Sequence, residues 1–172
     1  MNTYTRVFSQ TCLDVNKAIL AGFSDLTDED FKSRTHLFHG RYENLYLDAD
    51  RIPGLALIVD TAMQEAARIL GMDVAQLASG FWLNAMHPGD VTTAHTHDDD
   101  DELLSCVYYI RVPAEADRSG QLIITQNDGE EVIITPREGM FVFFSPQTLH
   151  EVTKNETDEM RLSMAFNFGK KR

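Results

Sequence analysis

Three of the six histidines in this 172-residue chain are spaced as ligands to a metal ion. His95 and His97 are separated by one residue, so on a β-strand both side chains point to the same face. His150 stands apart, just after Ser145-Pro146-Gln147, where an apolar run has ended and the chain can return to the same mouth. Imidazole suits iron, zinc, copper and nickel, so the histidines alone do not name the metal. The acidic run Asp98-Asp99-Asp100-Asp101-Glu102 opens a second choice. His97, Asp99 and His150 would make the facial triad of two histidines and one carboxylate. The set His95, His97 and His150 is preferred on register, because a run of carboxylates suits a solvated hairpin tip better than the strand itself. His36 and His39 read as surface groups. His87, beside Pro88-Gly89, reads as a turn residue.

Arg161 and Ser163 follow on the next strand candidate and share a face. A guanidinium fork beside a hydroxyl is a receptor for a carboxylate, and an arginine turned into a barrel needs an anion. Tyr108 and Tyr109 lie on the strand after the histidine pair, and either phenol can donate to the same anion. Each group also has a plainer reading: a salt bridge from Arg161 to Asp158 or Glu159, and core packing for the tyrosines.

The elements that must position these residues change character near residue 80. Before it the chain reads as helical. Residues 13–23 form a modest helix candidate, and Leu26-Thr27-Asp28-Glu29-Asp30 reads as a turn followed by an acidic helix start. Residues 53–70 form the best helix, with Pro53 in the first turn and Gly71 after the last. Leu55, Val59, Ala62, Ala66 and Ile69 lie on one of its faces. Beyond residue 80, strands are expected at 81–86, 103–112, 121–125, 131–135, 140–144 and 161–168. Asp128-Gly129 is a hairpin signal. The last strand alternates, with Leu162, Met164, Phe166 and Phe168 on one face and Arg161, Ser163, Ala165 and Asn167 on the other. Short strands at this density predict a sandwich or barrel. The expected organisation is one domain over residues 1–172: mainly β, with a mostly helical N-terminal buttress (1–79) against a β-barrel core (80–172).

Bulk properties narrow the partners. A formal net charge of −12 and a pI of about 4.8 disfavour nucleic acid and anionic membrane surfaces. The Lys170-Lys171-Arg172 tail reads as a solvated terminus. Two cysteines far apart, Cys12 and Cys106, give no disulfide framework and no thiolate zinc site. Neither a signal-peptide pattern nor an apolar membrane span is evident, so a reducing cytoplasm is the expected location. The N-terminal helices can cover the sheet or form a homodimer interface.

The segment 82–169 resembles the bacterial and phage group of 2-oxoglutarate/Fe(II)-dependent oxygenases in the prolyl-hydroxylase-like superfamily. The resemblance rests on Trp82-Leu-Asn84, Pro88-Gly89-Asp90, His95-Thr-His97 and Leu104-Ser105-Cys106-Val107-Tyr108-Tyr109. It continues in Gly139 before an apolar strand, Ser145-Pro146 leading to Leu149-His150, and Arg161-Leu-Ser163-Met-Ala165-Phe-Asn167. It covers about half of the chain and departs from the family at Cys106, where Gly is common, and in the lengthened acidic hairpin. It implies a double-stranded β-helix. In that fold His97 and His150 bind Fe(II), with His95 or Asp99 as the third ligand. Arg161 and Ser163, helped by Tyr109, hold the 2-oxoglutarate tail. The implied reaction consumes O2, hydroxylates a C–H bond of a small molecule or protein side chain and converts 2-oxoglutarate to succinate and CO2.

Two other readings compete. Gly89, His95, His97 and Glu102 fit the first cupin motif, G(x)5HxH(x)4E, in which these residues and His150 bind a metal without 2-oxoglutarate. That fit fails at Tyr109, where the motif ends in Gly, and at Pro146–His150, which is one residue short of the second motif. A metal-independent jelly-roll binding module is the non-enzymatic reading.

Overall fold

The computed structural model describes residues 4–97, 101–114 and 119–172. Two antiparallel sheets face each other. The large sheet has the order β1-β9-β6-β11-β4-β3-β2 and the small one β5-β10-β7-β8. The large sheet is built from β1 (Tyr4–Phe8), β2 (Ser33–Phe38), β3 (Arg41–Tyr46), β4 (Leu77–Met86), β6 (Glu102–Arg111), β9 (Met140–Phe144) and β11 (Arg161–Lys170). The small sheet contains β5 (Thr92–His95), β7 (Leu122–Thr125), β8 (Glu131–Ile134) and β10 (Leu149–Val152). This is the two-sheet barrel expected from the strand pattern, in the double-stranded β-helix form that the resemblance implied.

Two helices cover the outer face of the large sheet. In α1 (Gln10–Ser24), Ser9 caps the first turn by accepting from the Cys12 amide. This starts the helix three residues before the apolar pattern suggested. Cys12, Asn16 and Ile19 form its buried stripe. The second helix, α2 (Leu55–Leu70), starts after Gly54 and ends at Gly71 in the left-handed region (φ 64°). Its buried face is centred on Leu55, Ile58, Ala62 and Ala66, so Ile58 rather than Val59 points directly inward. Only a short 3-10 turn, Asp28–Asp30, forms where an acidic helix start was expected. No described helix is long and apolar enough to cross a membrane.

The large sheet therefore has two buried faces. One packs Leu83, Tyr108, Phe141, Phe143, Leu162, Met164, Phe166 and Phe168 against the helices. The other packs Tyr109, Met140, Val142 and Phe144 against Leu122, Ile124 and Ile134 of the small sheet. Burial on both faces explains why β9 reads as an unbroken apolar run.

The N-terminal 79 residues differ from the mostly helical expectation. They also supply β1, β2 and β3, which extend the large sheet at both ends. These strands left little trace in the pattern. The β2 strand is exposed nearly throughout and β3 is half-buried along its whole length, so neither alternates between apolar and polar.

Candidate active site

The small sheet brings the histidines together by register. His95 on β5 lies directly opposite His150 on β10. His97 lies just beyond β5, where its backbone N–H donates to the Pro146 carbonyl at 2.8 Å. One ring nitrogen from each of His95, His97 and His150 falls within 4.8 Å of the other two. The Nδ1 atoms of His95 and His150 lie 2.8 and 2.9 Å from the Thr93 and Thr148 carbonyls. Those contacts favour the Nδ1–H tautomer and leave Nε2 as the ring acceptor on each. Burial, reinforced by the neighbouring His95 and His97, depresses the His150 pKa to about 3. His150 is therefore a neutral imidazole near pH 7, the form a metal requires. Trp82 and Phe144 wall the cluster, 5.6 Å from the His97 ring and 4.7 Å from the His150 ring.

The other carboxylate candidates divide. Asp99 lies outside the described residues. Glu102 does not join the cluster, and its Oε1 accepts from Asn167 Nδ2 at 2.7 Å. The fourth ligand of the cupin reading is thus turned to a different task.

The cluster opens onto a cavity of about 890 Å³ that runs along the inner face of the large sheet. From β11, Arg161, Ser163, Ala165 and Asn167 line it in the alternation read from the sequence. Arg161 is 2% exposed and has no carboxylate partner among the described residues, so neither Asp158 nor Glu159 pairs with it. Its Nη1 reaches Ser163 Oγ at 3.3 Å and Met86 Sδ at 3.4 Å, whereas Nε and Nη2 complete no hydrogen bond among the described residues. The guanidinium lies over the Tyr109 ring, 5.1 Å from its centroid. Among the described residues the Tyr109 hydroxyl, beside Arg161, is buried without a geometrically complete hydrogen bond, as is Thr92 Oγ1. Burial pushes the Tyr109 phenol above its usual pKa, partly offset by the Arg161 charge, so it stays a donor. A buried guanidinium with two idle nitrogens is costly unless an anion completes it. Tyr108, the other candidate phenol, points into the helix-side core and donates to Asn16 Oδ1 at 2.7 Å.

The site also uses residues the sequence did not single out. Gly120 (φ +59°) packs against the Arg161 side chain, and Thr92 adds a buried hydroxyl to the wall. Arg41, from the N-terminal half, reaches the cavity residue Asn84 at 2.7 Å. No local pattern marks these groups, because strand pairing alone brings them to the cavity.

A family model described as "Putative 2OG-Fe(II) oxygenase" matches residues 80–167, just over half of the chain. The chain belongs to this family. As a 2OG-Fe(II) oxygenase it is an enzyme that uses Fe(II) and 2-oxoglutarate. Solved structures share the fold at low identity. A Pseudomonas putida prolyl-4-hydroxylase aligns with a TM-score of 0.76 and 19% identity, covering 100% of this chain and 90% of its own. A Trichoplax adhaerens prolyl hydroxylase, solved with a hypoxia inducible factor peptide fragment, gives 0.71 and 18%, covering 98% and 84%. A Burkholderia pseudomallei oxidoreductase of the 2OG-Fe(II) oxygenase family gives 0.68 and 13%, covering 97% and 84%. No curated protein matches the sequence. The donor set of this oxygenase fits both groups: three converging imidazoles suit Fe(II), and the incomplete guanidinium suits a dicarboxylate.

Proposed function

We propose that His95, His97 and His150 hold Fe(II), and that Arg161, Ser163 and Tyr109 hold the distal carboxylate of 2-oxoglutarate. One observation carries this reading. A buried arginine, two of whose nitrogens find no hydrogen bond among the described residues, shares one cavity with three clustered histidines. Fe(II) and 2-oxoglutarate would supply the chemistry that activates O2, the oxidant: one oxygen atom would enter succinate as 2-oxoglutarate loses CO2, and the other would be inserted into a substrate C–H bond.

The chain's own residues orient and shield. The Thr93 and Thr148 carbonyls hold the His95 and His150 rings in the metal-facing tautomer. Arg161 presents its fork to one carboxylate, while Ser163 and Tyr109 supply hydroxyl donors beside it. Trp82 and Phe144 exclude water from the face of the cluster they cover.

The substrate in this reading is a small molecule or a protein side chain. The peptide held by the Trichoplax relative supports the second choice, and the cavity volume admits either. Both cysteines are free and buried, which fits the reducing cytoplasm we propose as its location.

The test is an anaerobic titration of Fe(II)-loaded protein with 2-oxoglutarate. A weak visible charge-transfer band of the chelated keto acid is expected. One bound metal per chain without that band would overturn the cosubstrate assignment.

A further inference from the structure

Arg41 sits at the start of β3, outside the segment that matches the family model. A guanidinium has five N–H donors and no acceptor, and here the protein hydrogen-bonds the four on Nη1 and Nη2 while Nε stands in an ion pair. Nε faces Asp90 at 3.2 Å. Nη1 donates to Asn84 Oδ1 at 2.7 Å and to the Ala85 carbonyl at 3.2 Å. Nη2 donates to Glu43 at 3.3 Å and to the Val91 carbonyl at 3.0 Å. Asp90 is itself fixed, because it accepts from the His87 backbone N–H at 2.7 Å. The hub joins β3, β4 and the turn before β5.

Such an arginine leaves the Asn84 amide one orientation. Arginine cannot accept, so the oxygen must face it and the NH2 must face away. Asn84 lines the cavity, and none of the described residues accepts from its Nδ2. Register says where those two N–H bonds act. Asn84 and Tyr109 both pair with Ser163, so the three form one row across β4, β11 and β6. The next row along the sheet, about 6.7 Å away, contains Trp82 and Ala165, and Trp82 touches His97. The Asn84 row therefore lies between Arg161 and the histidine cluster, on the path a bound dicarboxylate must take.

We propose that Arg41 is a positioning residue that locks the Asn84 amide, and that Asn84 Nδ2 donates to a carboxylate oxygen of 2-oxoglutarate. This rests on the cosubstrate assignment above. It adds a donor from β4 and gives the N-terminal half a share in cosubstrate selection.

The discriminating variant is Asn84→Asp. One carboxylate oxygen still accepts from Arg41, so folding is preserved. The other replaces the donor with a negative charge facing an incoming dianion. Affinity for 2-oxoglutarate is measured from the anaerobic charge-transfer band with Fe(II), and by calorimetry on the Mn(II)-loaded protein. Thermal melting without ligand reports on structure. The expected result is an affinity loss of about tenfold or more, with an unchanged or raised melting temperature. Arg41→Met should weaken binding by acting through the same amide. The double variant Arg41→Met/Asn84→Ala should then bind no worse than Asn84→Ala alone. Wild-type affinity in Asn84→Asp would overturn the donor role, and additive losses in the double variant would overturn the positioning role. Failure of the wild-type protein itself to bind 2-oxoglutarate would instead strike the cosubstrate assignment, and this inference with it.

Discussion

Gly120 and Arg161 meet so closely that a Cβ on Gly120 would lie 2.8 Å from Arg161 Cδ and 3.1 Å from its Nε. The glycine also has φ +59°, which a side chain adopts at a cost. Gly120→Ala should therefore cost about 1–2 kcal/mol of stability and push the guanidinium out of line. Its signature is a weakened 2-oxoglutarate titration with metal stoichiometry intact. Unchanged cosubstrate affinity would show that Arg161 need not be held so tightly.

Arg161→Ala tests the anion site more directly. It removes the charge and the fork together, so 2-oxoglutarate binding should fall by a hundredfold or more, on the order of 3 kcal/mol. Fe(II) should still bind, because Arg161 stands on β11 of the large sheet whereas His95 and His150 are brought together by pairing within the small sheet. Arg161→Lys should recover only part of the loss, since an ammonium is a point donor rather than a planar fork.

The metal set is separable by three substitutions. His150→Ala should abolish metal binding, measured as iron content after anaerobic reconstitution and desalting. His95→Ala should cost metal affinity as severely, whereas Asp99→Ala should cost little. The reverse pattern would transfer the third ligand to the acidic run and leave His95 as its buttress.

Ligand binding should also register as stability. The unfolded chain lacks the register that sets His95 opposite His150, so metal and cosubstrate favour the folded state. Each should add about 2.7 kcal/mol at a hundredfold excess over its dissociation constant, raising the melting temperature in two steps. A chelator should reverse the metal step. A cosubstrate step that survives the chelator would place 2-oxoglutarate on Arg161 alone.

The helix-to-barrel contact makes a prediction away from the site. Asn16 is buried in α1, donates to the Tyr109 carbonyl at 3.3 Å and accepts from the Tyr108 hydroxyl. Asn16→Ala leaves the Tyr108 hydroxyl without its acceptor in a dry core, while the Tyr109 carbonyl keeps the Gly139 N–H at 3.0 Å. The change should cost about 1–3 kcal/mol, seen as a shifted denaturation midpoint. A neutral result would mean that the neighbouring groups rearrange to satisfy the Tyr108 hydroxyl.

What was legible in the sequence follows a physical division. The β9 and β11 strands were readable because burial stamps a pattern on them: unbroken apolarity in Met140–Phe144 and strict alternation from Arg161 onward. The histidine trio was readable because strand geometry pairs residues two apart, and because a lone His150 after a strand invites a third position. Strands β2 and β3 were not readable, since exposed edges and half-wet surfaces impose no period on Arg34, Thr35, Asn44 or Tyr46. Nor was the link from Arg41 to Asn84, which spans 43 positions and exists only through strand pairing. The same holds for Gly120, whose need to be glycine is imposed by a side chain far along the chain.

The alternation of β11 has a bearing on how this protein can change over time. One face of the strand packs in the helix-side core and the other lines the cavity. A slip of a single position would exchange them, sending a guanidinium into the phenylalanine layer and leucine and methionine into the cavity. Insertions or deletions of one residue within Arg161–Lys170 should thus be filtered out as misfolding before any question of catalysis arises. Diversity in what this enzyme acts on is then channelled into the rim, where length can vary without disturbing that ruler.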